Sequence, residues 1–384
     1  MIPDLLILVK FIFIKNKQTI KTKKLTFPKN KKLYIAALLP LQIVIVKILA
    51  RFPDLIEKYY SNGLYQFTSK TSRYLLGWIP FSIGDLLYAL LILYILKSII
   101  KNRRLLYQKP LHKITSVLAF LSVIYFAFNI LWGLNYYRNP ISKTLNIETD
   151  YTTQELLKVT EILIENSNKI HSKVAKNDTT KAIITKNRNQ LFDSTINGYS
   201  ELQKKHPFLK YTPKSIKKSV WSLPLTYMGY SGYLNPFTNE AQVNSKIPKY
   251  YFPFVSCHEQ GHQIGYAAEN ETNFIGYLAC MKNPDKAFNY AGITFAVRYC
   301  LNEVYRRDQK SYETLIKKLN IGIKKDFKES QVFWEDYQNP AEVIFKKTYD
   351  LFLKSNNQQK GIKSYSYVVA LIVNYELNKL ENNE

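Results

Sequence analysis

The stretch that decides the reading is Ser256-Cys257-His258-Glu259-Gln260-Gly261-His262, followed closely by Asn270-Glu271-Thr272-Asn273. On a helix, residues four apart share a face, so the His258 and His262 imidazoles project together with Glu259 beside them. Two neutral imidazoles and one carboxylate make a catalytic zinc site whose fourth position stays open for water. Glu259 then stands as general base toward that water. The chain has five histidines in 384 residues, so a His-Glu-x-x-His frame arises by chance roughly once in a few hundred such chains. Tyr251 to Val255 before the frame and Ile264 to Ala268 after it are apolar. Such flanks bury the helix, and a buried His-Glu-His cluster needs a partner such as a metal.

The third ligand is less direct. One zinc-peptidase pattern requires a histidine at the position of Ala268, so that pattern is excluded. Glu269 and Glu271 remain. An unbroken helix would carry Glu269 about 10 Å along the axis from His262, too far to share an ion. The chain must therefore turn back, with Gly265 as the helix stop and Asn270 as the N-cap of a second helix. That register favours Glu271 as the ligand, with Glu269 as the alternative. Asn273 is a candidate for orienting a ligand. Tyr349, Tyr227 and Arg298 are candidates for stabilising an oxyanion.

Three apolar runs lie upstream. Leu33–Ala50, Ile83–Ile100 and Ile114–Tyr136 have the length to span a bilayer. The last ends in Trp132-Gly133-Leu134-Asn135-Tyr136-Tyr137-Arg138, which reads as an interfacial aromatic belt. Residues 51–82 between the first two runs read as a mixed loop. The first 32 residues, a basic extension, carry nine lysines, and the short loop 101–113 carries five Lys or Arg, against four in the longer loop 51–82. The positive-inside bias then puts the N-terminus in the cytoplasm and everything after Tyr137 outside. The expected organisation is an extension (1–32), a transmembrane region (33–138) and an extracytoplasmic domain (139–384). The fold class expected is mainly α, with a mostly helical zincin-like domain and a small β element before the site helix.

In that domain, Thr152–Val174 shows helical periodicity with a capping pattern at Thr152 and Glu155. Gln190–Lys204, Asp285–Arg307, Tyr312–Ile323 and Val332–Leu353 are further helix candidates, and Ser219–Leu223 reads as β-like. Tyr227–Asn244 reads as a strand and turn. In zinc peptidases an edge strand in this place pairs with extended substrate. Ser364–Leu377 reads as a packed core helix. The net charge of +25 suits an anionic membrane surface, whereas the even spread of lysines and the lack of a nucleic-acid fold signature discount nucleic acid. Cys257, Cys280 and Cys300 form no disulfide framework and read as small buried residues.

Taken with Pro80–Asp85, Trp132–Arg138, Ser231-Gly232-Tyr233, Asn239–Asn244 and Tyr349–Lys354, the His258–His262 and Glu271–Cys280 segments resemble a family of bacterial polytopic membrane proteins with a C-terminal HExxH domain. The resemblance begins near Leu33. The second-helix pattern is also similar to gluzincin-like metallopeptidases, in which a Glu-Ala-Asn-type segment supplies the third ligand. Thr272 departs from the small residue usual there. The resemblance implies His258, His262 and Glu271 as ligands and Glu259 as base. The expected function is a membrane-anchored zinc metallopeptidase of the cytoplasmic membrane, acting on a peptide or protein substrate. The alternatives are a non-catalytic metal-binding envelope protein or a zinc amidase acting on cell wall.

Overall fold

The computed structural model describes residues 31–108, 110–358 and 367–382. The expectation for residues 1–30 lies outside them. Three helices are long and apolar enough to cross a membrane: α1 (Lys31–Leu49), α3 (Ile83–Gln108) and α4 (Pro110–Leu131). Their most apolar windows bury only 11%, 11% and 17% of their residues inside the protein, so the apolar side chains are left to face lipid. α1 packs along α4, whereas α3 meets α4 over a much shorter stretch.

The segment 51–82 is not a loop. After a helical turn, Pro53–Leu55, it forms a π-helical stretch, Ile56–Leu64, and then α2, Tyr65–Leu76. Its polar side chains explain why. The last carbonyls of a helix have no partner within it, and here α2 supplies the donors. The Tyr65 and Ser69 hydroxyls both donate to the carbonyl of Gln263 at 3.0 Å, at the end of the site helix. A sequence reading sees only mixed polarity, because the groups that make this helix useful lie nearly 200 residues away.

The remaining elements form a mostly helical body. Beside short helical turns at Gly133–Tyr137, Ile141–Leu145 and Pro207–Leu209, they are α5 (Thr153–His171), α6 (Arg188–Lys205), β1 (Ile216–Lys218), α7 (Ser222–Tyr227), β2 (Gly232–Leu234), β3 (Ala241–Val243), α8 (Phe252–Gln263), α9 (Glu269–Lys282), α10 (Lys286–Arg307), α11 (Gln309–Lys318), α12 (Ile321–Glu335), α13 (Pro340–Ser355) and α14 (Val368–Glu381). The Thr152/Glu155 capping box opens α5 as its sequence predicts. The stretch Ser219–Leu223 is not a strand: β1 ends at Lys218, and Ser222 begins α7. The candidate helices 312–323 and 332–353 are broken by caps at Asn320 and Asn339, the latter followed by Pro340 at the first helical turn. α14 is a buried core helix, lined by Val368, Val369, Leu371, Ile372 and Val373.

The sheet has the order β1-β3-β2, with β1 parallel and β2 antiparallel to β3. β2 is therefore an edge strand. Trp132 and Tyr136 are buried rather than arrayed as a lipid-facing belt, because they pack in a cluster with Tyr60, Tyr65 and Leu353.

Candidate metal centre

α8 is buried on nearly every side, so its polar residues need partners within the protein. On its back, Tyr199 of α6 donates to the Cys257 carbonyl at 2.6 Å, Thr195 accepts from Gln260 at 2.7 Å, and Tyr211 donates to Gln263 at 2.7 Å. α9 lies against it. A Cβ at Gly261 would meet Thr272 Cγ2 at 2.8 Å, and one at Gly276 would meet the His258 backbone at 3.2 Å. Glycine at these two positions lets the helices approach closely.

The turn between them sets the site. α8 stops at Gly265, whose φ of +97° is left-handed backbone that glycine adopts without strain. Arg138 clamps the turn, donating to the Gly265 carbonyl at 2.8 Å, lying 4.0 Å over the Tyr266 ring and pairing with Glu57 at 2.5 Å. The second helix is capped by Ala268 rather than Asn270 and starts at Glu269. That earlier start brings Glu269, not Glu271, back over the imidazoles.

Glu269 Oε2 lies 3.4 Å from His258 Nε2, and Glu269 Oε1 lies 3.7 Å from His262 Nε2. The imidazole planes cross at 88° with centroids 4.8 Å apart. His258, His262 and Glu269 thus form a buried group able to hold a metal ion, their ligand atoms all within 4.8 Å of one another. His262 Nδ1 faces the Tyr266 carbonyl at 2.8 Å, which fixes that nitrogen as the donor and leaves Nε2 as a free lone pair. Glu271 is elsewhere: its Oε1 accepts the backbone N–H of Ile141 at 2.8 Å. The geometry therefore favours Glu269, the alternative, over Glu271, because α9 begins two residues earlier than an Asn270 cap would place it.

The charges follow the same pattern. Burial drives the Glu259 carboxyl up to about 8 and the His262 imidazole down to about 4. Burial also opposes ionisation of Glu269, but the two imidazoles outweigh it and hold the carboxylate at about 2. Burial disfavours the His258 cation, yet Glu269 and Glu259 together keep its pKa above the ordinary value. A neutral His262 and an ionised Glu269 are the forms a divalent ion requires. Glu259 Oε2, on the cavity wall, is buried without a hydrogen-bond partner. Such an orphaned carboxylate oxygen fits a site whose missing partner is a water molecule.

The other sequence candidates separate here. The Tyr349 hydroxyl, on α13, donates to Glu269 Oε1 at 2.5 Å. Arg298 lies on the cavity wall with its guanidinium 6.0 Å from the Phe327 ring centre. Tyr227 packs edge-on against Tyr337 and lies outside the cavity lining. Asn273 lines the cavity beside His258. Sequence reasoning missed Trp132, whose ring stands edge-on to His262 at 6.1 Å. It also missed Gly232, where a Cβ would sit 2.6 Å from Glu259 Oε1. Both positions lie in segments that carry the family resemblance, the only sequence signal for them.

A family model described as "Protein of unknown function (DUF3810)" matches residues 60–373. The chain belongs to this family. The DUF3810 match runs from just before α2 into the first part of α14, takes in His258, Glu259, His262 and Glu269, and starts after α1, later than the resemblance near Leu33 suggests. No curated protein and no solved structure matches the chain.

Proposed function

We propose that this protein is a membrane-anchored, zinc-dependent peptidase of the gluzincin type, with its catalytic domain outside the cytoplasmic membrane. The observation that carries the reading is the donor spacing. Tetrahedral zinc with bonds of about 2.0–2.1 Å sets its ligand atoms roughly 3.3–3.4 Å apart. Here Glu269 Oε2 stands 3.4 Å from His258 Nε2 and Glu269 Oε1 3.7 Å from His262 Nε2, and one ligand atom from each of the three residues lies within 4.8 Å of the other two, close enough to draw in around one ion. When bound, zinc supplies Lewis-acid polarisation of a carbonyl and acidifies a water molecule.

The chain's own groups do the rest. Glu259 takes a proton from the attacking water and passes it to the leaving amine, so the C–N bond breaks as the C–O bond forms. β2 supports an extended substrate. Ser231 and Asn235 hydrogen-bond across to Asn244 and Glu240. By the alternation of an antiparallel ladder, Gly232 and Leu234 turn their N–H and C=O to the free edge, and both residues line the cavity. The charge asymmetry of the N-terminus and short loops supports an external catalytic domain.

The test is zinc content and proteolysis of casein for the purified wild type and for Glu259→Gln. Zinc in both, with cleavage lost only in the variant, is the expected result. Zinc in both with no cleavage by either would instead favour a metal-binding envelope protein.

A further inference from the structure

The cavity that holds the metal centre has a volume of about 1560 Å³, and it does not end in the helical body. Tyr88, Leu91, Ile92 and Ile95 line it from α3. Their spacing puts them on one face of that helix. The face runs about 10 Å along the axis, and Ile95 lies more than three turns from the start of α3 at 1.5 Å per residue. Phe128 of α4 and Trp132, the residue just past its end, also line it. Because α3 and α4 touch only briefly, this part of the cavity is a cleft between two spans. Ile92 and Ile95 remain 51% and 40% exposed, so the cleft is open sideways to the bilayer. The first turn of α3 is held firmly by the body. Asp85 accepts from Ser219 Oγ at 2.9 Å and Val220 N at 2.7 Å, and Glu240 accepts from Gly84 N at 2.6 Å. One continuous space therefore joins a hydrolytic centre to the hydrocarbon layer.

We propose that the substrate is a lipid-anchored peptide, whose acyl chain lies between α3 and α4 while its peptide portion extends along β2. This rests on the peptidase reading and names its substrate class. Leu91, Ile92, Ile95 and Phe128 offer no hydrogen-bonding side chain. A transmembrane segment would have to unwind to meet β2, leaving backbone groups unsatisfied against those walls. A hydrocarbon chain has no such groups. It enters from its own leaflet and exchanges one apolar surrounding for another, so no polar group has to be desolvated.

The test uses full-length Glu259→Gln protein, zinc-loaded, in lipid nanodiscs. The probe is an N-palmitoyl pentapeptide with a photoreactive diazirine midway along the acyl chain. Labelling is expected on Leu91, Ile92 and Ile95 at about fivefold or more above Leu90 and Leu93 of the same helix, a difference of roughly 1 kcal/mol. Excess unlabelled palmitoyl peptide should remove that excess, the acetylated peptide should not, and Ile92→Trp should abolish it. Equal labelling of all five residues would overturn the proposal. So would displacement of the probe by a ~20-residue transmembrane peptide at concentrations where the palmitoyl peptide fails. None of these readouts needs turnover. If the cleft is labelled as expected and wild-type protein leaves the palmitoyl peptide intact, it is the hydrolytic reading that fails.

Discussion

Glu269 and Glu271 lie two residues apart on the first turn of α9, yet they serve opposite sides of the helix. Glu269 reaches His258 and His262, while Glu271 accepts the backbone N–H of Ile141 at 2.8 Å. The first completes the buried His258, His262 and Glu269 cluster. The second ties the segment after the last span to the helical body, with the Arg138 charge nearby.

Exchanging each glutamate separates the two roles. Glu269→Gln should lower zinc affinity at least ~10–100-fold, as loss of a direct ligand must cost no less than loss of its supporting partner. Glu271→Ala should keep zinc stoichiometry but lose stability by about 1–3 kcal/mol, the cost of a buried donor left unmet. Isothermal titration with zinc and thermal unfolding in micelles measure the two effects. Zinc loss in Glu271→Ala but not in Glu269→Gln would return the ligand role to Glu271.

Tyr349 reaches the same carboxylate from α13. Its hydroxyl fixes the orientation of Glu269, so Tyr349→Phe should weaken zinc binding about tenfold. The change should appear in competition with a chelator of known affinity. An unchanged dissociation constant together with reduced kcat would move Tyr349 from holding the ligand to acting on the substrate.

Gly232 of β2 lies hard against Glu259. An added Cβ would lie 2.6 Å from the Glu259 carboxylate and 2.7 Å from the Gln242 carbonyl. Gly232→Ala must therefore displace the base or the strand. A shift of about 1 Å costs on the order of 10²-fold in rate, with the three ligand residues untouched. Peptide cleavage should fall by that factor at full zinc content, and cleavage within twofold of wild type would refute the close approach.

Asp326, which is not among the His258, His262 and Glu269 cluster, gives a pH-dependent prediction. Burial raises its carboxyl from 3.8 to about 6, against hydrogen bonds from Tyr290 and Ala182 that favour ionisation. A carboxyl with a raised folded-state value contributes its full stability below its unfolded value. That contribution is lost as pH rises through about 6. Asp326→Asn, which stays neutral, should gain on the order of 1–2 kcal/mol over wild type between pH 4.5 and pH 8. Melting curves at the two pH values decide it, and a variant that loses ground at pH 8 contradicts the sign.

Much of the architecture was readable from residue pattern alone. Three apolar runs near span length can only be helices if they meet lipid. Two histidines one turn apart with a glutamate between them converge whatever surrounds them, because helix geometry is local. The Thr152 cap and the buried α14 were legible for the same reason. The segment 51–82 was not, since its helices exist to satisfy carbonyls at the far end of α8.

The sequence by itself determined that His258, Glu259 and His262 share a helix, and it offered two carboxylates from the following segment, Glu269 and Glu271, to stand beside them. Only the tertiary structure decided which one. The choice depends on where α9 begins, and that is set by the left-handed turn at Gly265 and the grip of Arg138 on it. One residue of register rotates a helical side chain by about 100°, so contacts 130 residues apart in the chain determine which glutamate faces the imidazoles.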